Sequence, residues 1–114
     1  MNIILDTNFL IDCSKYHIDY QEELKEHLLF VLDSTISELE KLINQKTAKH
    51  AKLALEILNK KQIKILKTKQ DKDTDSLILE LKGYSVATND KLLKQKFKGK
   101  IFTIRQKKYI KEIK

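Results

Sequence analysis

Ile3-Ile4-Leu5-Asp6-Thr7-Asn8-Phe9-Leu10 is the stretch whose reading decides the fold. Three consecutive large aliphatic residues predict a strand buried on both faces, because a half-exposed strand alternates apolar and polar positions. The run stops on three polar residues, and Phe9, Leu10 and Cys13 then resume at helical spacing. Outward from it the same grammar recurs. Leu24 with Leu28 predicts a helix ending near a second strand, Leu28 to Leu32. Ile36, Leu39, Leu42 and Ile43 form one helical period, and Ala51, Leu53, Ala54, Leu55 and Leu58 another. Ile63 to Leu66 is a third strand, and Leu77, Ile78 and Leu81 lie on a helix that Gly83 is placed to close as a C′ glycine. Tyr84 to Thr88, Lys91 to Phe97 and Ile101 to Ile104 read as strand, helix and strand. Short apolar strands alternating with helices predict one three-layer α/β/α domain over residues 1–114, Rossmann-like, around a parallel sheet of about five strands.

Composition bounds the rest. A chain of 114 residues with 41% hydrophobic content buries roughly two-thirds of its unfolded surface, so wholly disordered classes are excluded. A lone cysteine, Cys13, forms no internal disulfide, which makes a reducing, cytoplasmic setting the expectation. No apolar run approaches the roughly 18 residues of a membrane span. Met1-Asn2-Ile3-Ile4-Leu5-Asp6 has no basic stretch before its apolar residues, unlike a signal peptide. The net charge of +7 is uneven: residues 1–57 carry 6 basic and 10 acidic side chains, and residues 58–114 carry 17 and 6. That asymmetry points to a polyanionic partner, nucleic acid ahead of an anionic membrane.

The acids fall where that map puts strand ends. Asp6 follows the first strand, Asp33 the second, and Glu38 is expected in the first turn of the next helix. Asp73 and Asp75 open the helix after the third strand, and Asp90 follows the fourth in Thr88-Asn89-Asp90. In an open parallel sheet, the carboxyl ends of the strands line one ligand-binding edge. Carboxylates gathered there repel one another unless a cation intervenes, and a hard ion such as Mg²⁺ or Mn²⁺ takes oxygen ligands. Each acid also has a plainer reading. Thr35-x-x-Glu38 matches a capping box, and Asp73, Asp75 and Asp90 each suit a helix N-cap.

Leu5-Asp6-Thr7-Asn8-Phe9-Leu10, Glu38-Leu39, Asp75-Ser76-Leu77-Ile78 and Thr88-Asn89-Asp90-Lys91-x-Leu93 resemble, in order and rough spacing, the motifs of PIN-domain nucleases. The resemblance covers essentially the whole chain. It implies an Mg²⁺- or Mn²⁺-dependent endoribonuclease whose catalytic and metal-binding acids fall on Asp6, Glu38, Asp75 and Asp90. The motif Asn and Thr fall on Asn8 and Thr88, and Asp73 competes with Asp75 as third acid. Asp75 is the choice, because Ile78 three residues on shares its helix face. Two branches are implied: toxins of the VapC type, paired with a cognate antitoxin, and archaeal small-subunit ribosomal RNA-processing PIN proteins, which act among ribosome-assembly proteins. Ile104-Arg105-Gln106-Lys107-Lys108-Tyr109 is similar to the ending of the short archaeal members and favours that branch. Homodimers are common in the family. The implied reaction is hydrolysis in which a deprotonated water attacks phosphorus in line, leaving a 5′-phosphate and a 3′-hydroxyl.

The basic C-terminal flank would hold the RNA. Arg105, the chain's one arginine, can fork onto a phosphate or stack on a base, and Lys91, Lys107 and Lys108 add salt-sensitive attraction. Tyr109 either stacks on a base or packs with Ile110 and Ile113 against the domain, packing being the expected outcome. Lys46, Lys49 and Lys52 either extend the basic track or form the polar side of a helix. His17, His27 and His50 share no zinc-ligand spacing, and no Gly-rich phosphate loop occurs. A phosphatase of the haloacid dehalogenase type wants a second Asp where Asn8 stands. A receiver domain wants a phosphorylatable Asp where Leu66-Lys67-Thr68 ends the third strand. A non-catalytic PIN-like module binding RNA or protein is the remaining alternative, and an anionic pocket would serve it poorly.

Overall fold

β1 (Asn2–Leu5) lies at the centre of the sheet in a computed structural model, which describes residues 1–45, 48–61, 63–69 and 71–113. The strand order is β3-β2-β1-β4-β5-β6, with β2 (Leu28–Leu32), β3 (Lys64–Leu66), β4 (Ser85–Ala87) and β5 (Ile101–Arg105) parallel. The sheet has six strands where about five were expected. The addition is β6 (Tyr109–Glu112), which turns back antiparallel on β5 with Arg105 opposite Tyr109. It was hidden because Lys107-Lys108 and Lys111 interrupt the apolar pattern of an edge strand whose outer face is wet.

Side-chain alternation along the strands makes two cores, and this is what creates three layers. Ile3 and Leu5 point to one face, where they meet Phe9, Leu10 and Cys13 of α1 (Thr7–Lys15), Leu39 of α3 (Asp33–Ile43), and Ala51, Ala54 and Leu58 of α4 (Lys49–Lys61). Ile4 points to the other, against Leu77 and Ile78 of α5 (Thr74–Glu80) and Leu93 of α6 (Lys91–Lys96). Ile3, Ile4 and Leu5 are fully buried, as a strand covered on both sides requires. Among the described residues, no helix is long and apolar enough to cross a membrane.

Several local expectations are corrected. The segment around Leu24 forms only one helical turn, α2 (Tyr20–Glu23), because Leu28 belongs to β2. Gly83 does not cap α5: that helix stops at Glu80 with Leu81 extended, and Gly83 uses its freedom at φ +84° in the turn into β4. Tyr109 is 41% exposed instead of packed, although Ile110 and Ile113 are partly buried against the two cores. Lys49 and Lys52 are exposed on α4, and Lys46 lies outside the described residues.

Candidate active site

The strand order reverses direction between β1 and β4, and there the helices leaving the two strands depart to opposite faces. That divergence opens the crevice where ligands bind in parallel sheets. Asp6 stands on one lip, as N-cap of α1, and Asp90 on the other, as N-cap of α6. The capping reading therefore holds for Asp90, Asp6 proves to be a cap as well, and capping does not exhaust either carboxylate. Asp6 Oδ1 accepts from Thr7 N at 2.9 Å, while Oδ2 accepts from Thr88 Oγ1 at 2.7 Å. The same Thr88 hydroxyl accepts from Asp90 N at 3.0 Å, so one buried threonine ties the two lips together.

Glu38 reaches the crevice from α3. The helix begins at Asp33, so Thr35 sits inside its first turn and Glu38 in its second, and the capping-box reading is overturned. Glu38 Oε1 instead accepts from Thr7 Oγ1 at 3.1 Å and from the Thr74 hydroxyl. Thr74 also shares a hydrogen bond with Ser34 Oγ at 2.9 Å. α1 and α5 thus each send a threonine hydroxyl to Glu38, and Ser34 of α3 bonds to one of them, Thr74. Sequence reasoning missed Thr7, Ser34 and Thr74; their only signal was position, beside Asp6, Asp33 and Asp75. Thr74→Val keeps the shape but leaves Glu38 with one hydroxyl, and we expect kcat to fall ~10–100-fold. Unchanged turnover would dismiss the threonine clamp.

Asp73 and Asp75 separate by two residues of helix. Asp73 is exposed and caps α5 through Ser76 N at 2.8 Å; its hydrogen bonds with Ser76 hold its carboxyl below the usual range. Asp75 is half-buried and faces the other acids. Desolvation, then the charge of Asp90, raises its pKa, and its carboxyl is within hydrogen-bonding reach of Asp90. Asp6 is 3% exposed, and burial, opposed by the Thr88 hydrogen bond and reinforced by Asp75 and Glu38, lifts it to about 6. Four segments therefore deliver Asp6, Glu38, Asp75 and Asp90 to one mutually repelling set. Asp33 is drawn elsewhere, accepting from Thr68 N at 3.0 Å and Thr68 Oγ1 at 2.7 Å to pin the loop after β3.

Among the described residues, no three carboxylate, imidazole or thiol groups converge at the ligand distances of one ion. The four acids stand as an open, oxygen-only set, the donor chemistry that hard divalent cations take. Asn8 is exposed on the first turn of α1. Cys13 is buried in the first core, where desolvation pushes its thiol pKa up and leaves it unreactive.

A family model described as PIN like domain matches residues 3–107, the whole span from the first strand to the final hairpin. The chain belongs to the PIN-like domain family. Ribonuclease VapC4 of Methanocaldococcus jannaschii is 32% identical over 121 residues, a match covering 94% of this chain and 92% of that protein. A solved structure of the PIN domain endonuclease Utp24 superposes with a TM-score of 0.80 at 28% identity, covering 97% of this chain and 90% of the other. A domain of a functionally unknown M. jannaschii protein shares the fold alone, at TM-score 0.59 and 16% identity over 91% of each chain. Two of these relatives of the PIN-like chain are named for an activity, one a ribonuclease and one an endonuclease.

Proposed function

We propose that this PIN-like protein is a divalent-metal-dependent endoribonuclease that hydrolyses phosphodiester bonds of single-stranded RNA. The observation that carries the reading is the convergence of Asp6, Glu38, Asp75 and Asp90 at the switch point of the sheet, with Asp6 and Asp75 raised in pKa by burial and by their neighbours. A set of acids that repel one another is a standing cost to the fold unless a cation offsets it. The relatives, a ribonuclease and an endonuclease, support the same reading.

Asp6, Asp75 and Asp90 would hold Mg²⁺ or Mn²⁺, which when bound acidifies water and neutralises charge on the phosphate. Thr88 keeps Asp6 and Asp90 at a fixed separation through its two hydrogen bonds. Glu38 is oriented by Thr7 and Thr74 through Oε1. Its Oε2 is unengaged among the described residues and is the atom placed to take a proton from the attacking water. Asn8, exposed beside the crevice, is available to the scissile phosphate. Lys91, Arg105, Lys107 and Lys108 draw the strand in without reading its sequence. RNA is the partner this chemistry demands. Ribosomal RNA processing is the role the Arg105-Gln106 ending favours, with ribosome-assembly proteins alongside; a toxin role would add a cognate antitoxin.

The test is cleavage of an end-labelled single-stranded RNA by the purified chain. Cutting is expected with Mn²⁺ or Mg²⁺, none in EDTA, and each product should carry a 5′-phosphate. Cleavage that persists in EDTA, or products ending in a cyclic phosphate, would overturn the metal-hydrolytic reading. RNA binding without any cutting would leave the non-catalytic module in its place.

A further inference from the structure

Beside the acid crevice lies a second concavity, a cleft of about 400 Å³ lined by Asp12, Tyr16, Asn89, Lys94, Gln106 and Lys107. Asn89 links it to the crevice along the chain, lying between Thr88, which holds Asp6, and Asp90. Its volume lies within the range of small-molecule pockets, roughly 300–1,000 Å³.

Three features give the cleft a chemical character. Asn89 is fixed rigidly: its Oδ1 accepts from Thr103 Oγ1 and Ile104 N, each at 3.0 Å, and its Nδ2 donates to Asp12 Oδ2 at 2.8 Å. One amide hydrogen and one Asp12 oxygen remain unengaged among the described residues, a donor and an acceptor side by side. Tyr16 supplies a partly exposed ring, with Lys107 Nζ 5.7 Å and Lys15 Nζ 5.5 Å from its centroid. Lys94 and Arg105 are close enough for Arg105 to lower the Lys94 pKa, behind burial as the larger cause and against the pull of Asp90. Among the described residues, Lys94, Arg105 and Lys107 form no ion pair. Lys94 and Lys107 both line the cleft and, unpaired among the described residues, offer positive charge to an anion.

The hairpin between β5 and β6 aims this wall of the cleft. Gln106 (φ 53°) and Lys107 (φ 57°) are both left-handed, closed by Lys108 N donating to Arg105 O at 3.0 Å. A tight turn of this hand ordinarily takes Asn-Gly, and two residues with longer side chains there are strained. The hairpin keeps that strain, and with it a glutamine and a lysine at the mouth.

We propose that this cleft binds one nucleotide of the RNA next to the scissile phosphate, its base on Tyr16 and against the Asp12–Asn89 pair, its phosphate held by Lys94 and Lys107. This rests on the ribonuclease reading above. The Lys107–Tyr16 contact does not bar the base: an exposed cation–π contact at the edge of its range is weaker than a base stacked on the ring. The base displaces the ammonium, which is then free to reach phosphate.

The test is binding of a fluorescent single-stranded decaribonucleotide in EDTA, where no cutting occurs, with cleavage in Mn²⁺ measured separately. Tyr16→Leu should weaken binding roughly 5- to 100-fold. Tyr16→Phe should bind as wild type, and the loss should vanish for an oligonucleotide of abasic sites. Tyr16 packs against the first core, so two surface variants guard against misfolding. Lys94→Gln should lower the salt slope of log Kd by about 1, against no loss of affinity for Lys60→Gln on exposed α4. Lys107→Gly should raise thermal stability by relieving the turn yet weaken binding. If Tyr16→Leu and Lys94→Gln bind like wild type while wild type still cuts, the subsite is refuted and the nuclease reading stands. If wild type neither binds nor cuts single-stranded RNA, both are refuted.

Discussion

Asp6→Asn is expected to keep the fold, lose RNA cleavage by on the order of 10³-fold, and make the metal-free protein more stable at neutral pH. Activity falls because the most buried acid of the crevice no longer contributes charge. The stability gain has a definite sign. Asp6 titrates near 3.8 when unfolded and at about 6 in the folded chain. The native state therefore holds the proton more tightly, and stability falls as pH rises from about 4 to 6. Above that window the whole penalty persists, about 3 kcal/mol for a shift of this size. Asparagine removes the charge but sets an N–H near the Thr88 hydroxyl, so a gain of about 1–2 kcal/mol in EDTA at pH 7.5 is expected. At pH 4 the gain should shrink to nothing. Mn²⁺ should then raise the melting temperature of wild type and leave the variant unmoved. Thermal scans at the two pH values, with and without Mn²⁺, check all three; equal stabilisation of both proteins by Mn²⁺ would remove Asp6 from the ion site.

Asp75→Asn should depress kcat by roughly 10²–10³-fold with little change in KM for RNA, because its carboxylate faces Asp6, Glu38 and Asp90. Asp73→Ala makes the contrast. That residue is exposed and spends its side chain on Ser76 N, so its loss removes a helix cap and lowers the melting temperature, while turnover stays near wild type. Melting and cleavage measured on both variants separate the roles. A catalytic loss in Asp73→Ala matched by none in Asp75→Asn would reverse the assignment of the third acid.

Most of the fold is legible in the chain because burial on two faces leaves an uncomplicated signature. Ile3-Ile4-Leu5, Leu28 to Leu32 and Ile101 to Ile104 are short apolar runs, and each lies within a strand. β6 escapes that logic, since an edge strand needs only one sheltered face and its lysines resemble a solvated tail. The acids of the crevice were legible as strand-end residues, yet the duties of neighbours were not. Asp73 and Asp75 differ by two positions and by everything that surrounds them, and Glu38 reads as a capping residue until α3 is seen to start at Asp33.

By itself, then, the sequence determined the alternation of strand and helix and the residue types at each strand end, because periodicity and turn chemistry are local. Only the tertiary structure decided which acids repel one another, which threonines hold them, and that Asn89, Tyr16 and the β5–β6 turn share a cleft. Those facts depend on strand order: β1 and β4 are neighbours in the sheet although about eighty residues separate Asp6 from Thr88 along the chain. Electrostatic coupling falls with distance and grows with burial, and neither quantity exists until the sheet has closed around the crevice.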